Sequence, residues 1–513
     1  MNKIPKRVIF ISLGVSLGGF LFGFDASVIS GIIKFIRPQF QLNEIELGWV
    51  VSSPTFSAMF AMLIAGRLSD VIGRKQVLQI IAFLYLISAL ISSLSPNIVV
   101  LVAGRMLGGI AFGGALVITP LYLAEIAPAE NRGKLVSVQQ LNIVLGFSAA
   151  FFSNYLLIRN YDYFSLIDMD NIWRWMLALE VFPALLYIVV LFFVPKSPRW
   201  LVNQGRDKEA KQVLKFLHGV KNLQNRFHDI AVGKSGKRKF FSPLVLIKKR
   251  YRFIIFIGLL LAVFQQITGI NVIFFYSTTI FEQSGIGREA SFAQAVLVGL
   301  INVVFTILAM YLIDKIGRKP LIIIGLAGIA ISMGITSYGF YKAQYELKVS
   351  TVEKFSFEER SKLLPLTNKL FQDDKKFKKD LKSVLGEQRY YERESVILSE
   401  SINMNANLIL VGILGFVAAF AFSLGPVMWV MLSEIFPTHI RGVAISSLGF
   451  INSLVSWFVQ FVFPLELSLI GNAGTYLIYS VLAVIGLLLF LKFLPETKGR
   501  SLEQIEAEFA INN

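Results

Sequence analysis

Twelve apolar stretches, each long enough to cross a lipid bilayer, constrain this chain more than any other feature. They fall at roughly 8–33, 48–66, 77–95, 97–117, 138–158, 174–194, 254–278, 292–313, 319–340, 408–432, 443–464 and 473–494. A spanning helix needs about 20 predominantly apolar residues. Within hydrocarbon every backbone N–H and C=O must find its partner inside the segment, which favours helices for runs of this length. The expected fold class is therefore an all-α integral membrane protein. Charge is sparse in the way this predicts: 16% of the 513 residues are charged, against about 25% in a soluble protein.

The charge that remains is uneven. A formal net charge of +17 would suit a nucleic-acid partner if it formed one surface, but the basic residues gather in short connections and in residues 196–252, where Lys208, Lys211, Lys215, Lys221, Arg238, Lys248, Lys249 and Arg250 stand. Lys and Arg concentrate on the cytoplasmic side of membrane proteins and set topology. Twelve spans with both ends inside make 67–75, 125–136, 196–252, 314–319, 434–441 and 495–513 cytoplasmic, and those segments hold nearly all of the concentrated positive charge. No nucleic acid is expected as a partner. The N-terminus, with Lys3, Lys6 and Arg7 before the apolar run from Val8, reads as a retained first helix, because the run exceeds the 7–15 residues of a signal-peptide core.

Several chemistries are missing from the sequence. There is no cysteine, and the histidines are His218, His228 and His439, all in or beside basic loops, so neither thiolate chemistry nor a metal cluster is expected. No nucleophile–base pair or phosphate-binding loop is present, and an enzyme is not expected.

The chain also repeats itself. GRLSDVIGRK at 66–75 returns as IDKIGRKP at 313–320, offset by 244; AEIAPAENRG at 124–133 returns as SEIFPTHIRG at 433–442, offset by 309; VPKSPRWL at 194–201 returns as LPETKGRSL at 494–502. The jump between the first two offsets matches the length of the charged stretch 341–407, which lies between the ninth and tenth spans and by parity is extracytoplasmic. The expected organisation is a six-helix bundle over 1–195, a linker with short helices over 196–252, and a second six-helix bundle over 253–513 that carries the 341–407 insertion and a cytoplasmic tail at 495–513. Short amphipathic helices or disorder would both suit the insertion's composition. Duplicated halves with a site between them are a transporter architecture.

Polar groups inside the spans mark the chemistry. A mid-membrane Asp costs about 2.5–3.5 kcal/mol on insertion scales, so Asp25 in the first span needs a reason, and Arg105 in the fourth is its natural partner. A carboxyl that passes between neutral and charged forms at modest cost is what proton coupling requires; a static ion pair holding two helices is the alternative. Amides follow: Gln139 and Gln140 open the fifth span, Gln265, Gln266 and Asn271 lie in the seventh, Asn302 in the eighth and Asn452 in the eleventh. On a continuous helix Gln266 and Asn271 share one broad face. Amides donate and accept together, as hydroxyls do, so this set suits an uncharged polyhydroxyl ligand better than it suits interhelical hydrogen bonds alone. Trp429 offers a flat face to sugar C–H groups, and Gly425–Pro426 just before it is a predicted interruption of the tenth helix. In the loops, Asp70, Arg74, Glu125 and Arg132 of the first half match Asp314, Arg318, Glu434 and Arg441 of the second. Ion pairs among them would make a cytoplasmic gate.

With these motifs in place, the chain resembles the sugar porter family of the major facilitator superfamily, and most of all its bacterial proton-coupled, xylose-type members. GRLSDVIGRK, PLYLAEIAPAENRG, VPKSPRWL, FQQITGINVIFFYS, DKIGRKP, GPVMWVMLSEIFPTHIRG and LPETKGRSLEQIE carry the likeness. The resemblance implies twelve helices in two bundles, short cytoplasmic helices and alternating access. It further implies Gln140, Gln265, Gln266, Asn271, Asn302, Gly425, Trp429 and Asn452 around the sugar, and Asp25 with Arg105 as the coupling pair. Four departures stand out: Phe24 and Phe275 where Tyr is common, Asn452–Ser453 where an amide–Trp pair is usual, and Lys196 where Glu is usual. The expected function is import of a monosaccharide by proton symport, with a facilitative sugar or inositol-like polyol uniporter and a sugar sensor as alternatives. The expected partners are sugar, protons and membrane lipid, with no cofactor beyond the proton gradient and a monomer sufficing. The expected location is the cell membrane with both termini in the cytoplasm.

Overall fold

The computed structural model describes residues 5–128, 131–163, 165–219, 223–232, 246, 248–437 and 440–498. Eleven helices in it are long and apolar enough to cross a bilayer. The last, Arg441–Phe493, has 53 residues, which at 1.5 Å per residue is about 80 Å, nearly twice a bilayer with its headgroups. It is broken at Gly471, whose φ is 81°, inside the predicted gap between the eleventh and twelfth spans. In order the spans are Lys6–Gln39, Glu44–Ile72, Arg74–Ser93, Ile98–Ile126, Gly133–Tyr163, Ile172–Phe193, Arg252–Glu282, Arg288–Ile316, Arg318–Tyr341, Ala406–Ile435 and the two arms of Arg441–Phe493. Most run several residues past their apolar cores, because amphipathic ends such as Asn43-capped Glu44–Leu47 continue the helix beyond what hydropathy marks. Side chains such as Phe182, Leu300 and Ile331 stay exposed around the outside, the apolar faces that lipid would cover.

Packing inside the first half depends on small residues, since between helices in lipid the gain comes from close contact rather than from expelling water. The first and fifth spans cross so closely that a Cβ on Gly23 would lie 2.0 Å from the Ile143 carbonyl oxygen, and one on Gly146 would lie 2.1 Å from that of Phe20. The halves meet along three seams. The first span joins the seventh where the Thr278 N–H donates to the Ser30 hydroxyl at 3.0 Å. The second joins the eleventh where Thr55 donates to Gln460 at 3.1 Å. The fifth approaches the eighth at Ser148 and Gly299.

Within residues 196–252, helices Pro198–Asn203, Asp207–His218 and Leu223–Val232 and a turn at Lys249–Tyr251 are formed. Lys221, Arg238, His439, the Arg132 side chain and the tail beyond 498 lie outside the described residues.

The insertion folds as a small unit of its own. A three-stranded sheet of Gln344–Glu346, Leu370–Phe371 and Ile402–Asn403 joins helices Phe357–Leu363, Asp374–Leu385 and Glu387–Ser401. Tyr345, Phe371, Phe377, Leu381 and Tyr390 form its core. Its composition suggested only helices or disorder, because strands of two and three residues carry no readable alternation. The unit is rooted in the second half but reaches the first. Arg37 at the end of the first span lies 3.7 Å from the Tyr391 ring and 2.9 Å from Glu44, and Lys382 lies 3.2 Å from Glu44. Burial holds the Tyr391 phenol above its ordinary range, with Arg37 pulling the other way, so it remains a donor to Glu44 at 3.1 Å.

Candidate functional site

Two polar clusters lie inside the bundle, and they differ in kind. One is charged. Asp25 and Arg105 are almost wholly buried and form an ion pair, and Arg105 Nη1 also donates to the Asp25 backbone carbonyl at 3.1 Å. Glycine at 104 and 108 lets the fourth span carry this guanidinium in close, with Ser88 of the third span donating to the Gly104 carbonyl at 2.8 Å. A third member is Glu180 of the sixth span, 1% exposed and within hydrogen-bond reach of Asp25. Among the described residues, Asp25 Oδ2, Glu180 Oε1 and Arg105 Nε have no hydrogen-bond partner. Sequence reasoning passed over Glu180, although an acid in WRWMLALEVFP carried the same signal as Asp25: an ionisable group inside an apolar run.

The other cluster is neutral. The seventh helix ends at Ile267, turns through Gly269 at φ 93°, and resumes at Ile270. The continuous helix expected from sequence is therefore interrupted, and the break itself brings Gln266 and Asn271 together. Asn271 Nδ2 donates to Gln266 Oε1 at 2.8 Å and to Ser456 at 2.6 Å. Gln266 Nε2 donates to Asn452 Oδ1 at 3.1 Å, and Asn452 Nδ2 donates to Gln265 Oε1 at 2.8 Å. Gln265 in turn donates to the Leu424 carbonyl at 3.2 Å. Ser456 accepts from Gln460 at 2.7 Å, which extends the chain to Thr55 of the first half. Ser456 and Gln460 were not singled out from sequence; they follow Asn452 at i+4 and i+8, one face of the eleventh helix.

Leu424 stands at the start of a new segment because the tenth helix is also broken. The interruption lies at Ser423 (φ −127°, ψ −95°), three residues before the expected Pro426. The ring of a helical proline clashes with the carbonyl four residues back, here Phe422, so the chain yields at that point and Pro426 settles into the first turn of Leu424–Ile435. Gly425 lines this break, its carbonyl accepting from Gln265 at 3.3 Å. Trp429 follows, 42% exposed and facing the eleventh span near Gly449. Asn302 is buried and Gln140 half-buried; neither hydrogen-bonds the amide cluster among the described residues.

The loop charges form two matched clusters. Arg74 pairs with Asp70 at 2.7 Å and Glu125 at 3.1 Å; Arg318 pairs with Asp314 at 3.0 Å and Glu434 at 2.9 Å. Ser197 donates to Glu125 as Thr497 does to Glu434. Among the described residues, the ion pairs of these two clusters stay within one half. Arg441 donates to the Phe436 carbonyl at 3.1 Å rather than to an acid. At the opposite face the halves are tied: Lys34 of the first span lies 2.7 Å from Glu282 of the seventh.

The sequence model of the family described as "Sugar (and other) transporter" matches residues 11–352 and 393–509. The chain belongs to this sugar transporter family. It is 33% identical to the glucose transporter GlcP of Staphylococcus epidermidis over 99% of this chain and 98% of that one. It is 34% identical to the arabinose-proton symporter of Bacillus subtilis over 97% of this chain and 94% of the other. The solved inward-open conformation of the xylose transporter XylE from E. coli superposes with a TM-score of 0.74 at 31% identity, covering 98% of this chain and 99% of that one. This sugar transporter is therefore a membrane protein of the major facilitator fold and not an enzyme.

Proposed function

We propose that this chain imports a monosaccharide by proton symport. The observation that carries the reading is the separation of a buried charge cluster, Asp25, Arg105 and Glu180, from a neutral amide cluster about the broken seventh and tenth helices. One guanidinium balances one carboxylate, and the second carboxyl is satisfied when a proton bridges it to the first. Loading and releasing that proton is the coupling event. The amides Gln140, Gln265, Gln266, Asn271, Asn302 and Asn452, with Gly425 and Trp429, bind the sugar. Gln265, Gln266, Asn271 and Asn452 hydrogen-bond one another, an exchange of partners that a polyhydroxyl can match. Relatives named for glucose and for proton-coupled arabinose transport support the cargo class.

Positive charge in the loops orients both termini to the cytoplasm of a cell membrane, which puts the insertion outside. With an outer tie at Lys34–Glu282 and, among the described residues, no ion pair of the loop clusters across the inner face, the conformation reads as inward-facing. Asp70, Arg74, Glu125 and Arg132 with Asp314, Arg318, Glu434 and Arg441 close that face when the cavity opens outward, the two clusters meeting only then. A monomer suffices, with the proton gradient as energy source and no cofactor. The test is uptake of labelled D-xylose, D-glucose and L-arabinose by proteoliposomes with and without an inside-alkaline pH gradient. Accumulation above equilibrium only with the gradient is expected; equilibration at equal rates in both conditions would make the chain a uniporter.

A further inference from the structure

A second cavity, of about 390 Å³ and so in the range of small-molecule sites, lies at the insertion face, above the Lys34–Glu282 tie. Its charged walls come from the end of the first span with Lys34 and Arg37, the seventh and eighth spans with Glu282 and Arg288, and the insertion with Lys375 and Lys379; Glu44 of the second span and Pro464 of the eleventh also line it. Seven Lys or Arg side chains line it against four Glu. Lys34 pairs with Glu282 and Arg37 with Glu44, and Lys382 shares the same Glu44. Arg288, Lys375 and Lys379 have no carboxylate partner among the described residues.

The lining also holds unanswered hydrogen-bonding atoms. Among the described residues, Glu282 Oε1 and Gln283 Oε1 are acceptors without donors, on residues 7% and 8% exposed, and Arg37 Nε and Arg288 Nε are donors without acceptors. Buried polar atoms are rarely left so. Unspent donors with surplus positive charge ask for an anion, and unspent acceptors beside them ask for hydroxyl groups on the same molecule.

We propose that this outer vestibule binds a small hydroxylated anion, a sugar acid or sugar phosphate, and that its occupancy holds the outer face shut. The ligand bridges Arg37 of the first half to Arg288 and the insertion lysines of the second. Those groups must separate for the outer face to open, so the closed state binds the anion better and is stabilised by it. The anion is not itself cargo, because the amide cluster deeper in offers no unpaired cation to receive it. The effect on transport rests on the orientation and alternating access proposed above; the binding does not.

The experiment is titration of the purified full-length protein with D-glucuronate, glucose 6-phosphate, acetate and D-glucose. It is repeated on the double variant Lys375→Gln/Lys379→Gln, whose side chains are exposed and belong to neither the amide nor the Asp25 cluster. Glucuronate or glucose 6-phosphate should bind at millimolar concentration or below, acetate about tenfold more weakly, and the variant should lose about tenfold in affinity for the anions, as for two partly screened charge contacts. The preferred anion identifies whether carboxylate or phosphate is the natural group. In proteoliposomes the anion applied outside should slow sugar uptake, excess sugar should not relieve the inhibition, and the variant without anion should transport normally. No binding by either anion, unchanged binding in the variant, or inhibition that excess sugar abolishes would overturn the proposal. Failure of gradient-driven accumulation would instead count against symport, leaving the titration to decide the vestibule.

Discussion

The two halves of the chain share a backbone plan and divide the chemistry between them. The first half holds the buried ionisable cluster Asp25, Arg105 and Glu180. The second half holds the linked cluster of amides and a hydroxyl, Gln265, Gln266, Asn271, Asn452 and Ser456. Carried across by the offset of 244 that aligns Arg74 with Arg318, Asp25 falls on Gly269, the residue at which the seventh helix breaks. The same place in the repeat thus carries a buried carboxyl in one copy and a backbone interruption in the other. A duplicated fold can hold coupling ion and solute apart in this way, so that each is changed by substitutions in its own half.

The largest effect should come from Asp25→Asn. Without the carboxyl paired to Arg105, gradient-driven accumulation in proteoliposomes should disappear, while exchange of labelled for unlabelled sugar continues and sugar affinity stays within about twofold. Loss of exchange together with accumulation would break the division, since it would make Asp25 part of the sugar path. The mirror experiment is Asn271→Ala, which deletes donors to Gln266 and Ser456. A lost buried hydrogen bond is worth about 1–3 kcal/mol, so sugar affinity should fall about tenfold or more. The ratio of protons to sugar carried should be unchanged, and a changed ratio would show that the two clusters are not separable. Glu180→Gln comes next: it keeps the shape but holds no exchangeable proton, so accumulation should fall several-fold with affinity for sugar intact. Wild-type accumulation in this variant would reduce the coupling site to the Asp25–Arg105 pair.

Legibility in the sequence followed the same division. Spans were readable because lipid demands long uninterrupted apolar runs, and Gly471 broke the final helix inside the gap that hydropathy left. Polar residues within those runs were readable as costly exceptions, yet Glu180 was missed because it sits just before Phe182–Pro183, where an acid can pass for a helix end. Contacts made by backbone breaks were harder. That Gln266 meets Asn271 through the turn at Gly269, and that the tenth helix yields at Ser423 rather than Pro426, depends on carbonyl clashes one turn away from the residue that causes them. The insertion was least legible, its sheet built from strands too short to alternate and its docking set by Arg37, Tyr391 and Glu44, which lie far apart in the chain.

The smallest expected effect sharpens the comparison where the halves are most alike. In the second half the Glu496 carboxylate accepts from the backbone N–H groups of Arg318 and Lys319 at 3.1 and 3.0 Å, capping the ninth helix at its positive end. The matching residue of the first half is Lys196, which supplies no acceptor and sets a cation near Lys75. Arg74 keeps its side-chain pairs with Asp70 and Glu125, but the third helix lacks the cap. Lys196→Glu should therefore stabilise the protein by about 0.5–1 kcal/mol, a rise of a few degrees in thermal midpoint in detergent, and Glu496→Lys should lower it by a similar amount. A thermal midpoint that Lys196→Glu lowers would mean that the lysine has a partner of its own, and that the repeat diverged here to gain a contact rather than to lose one.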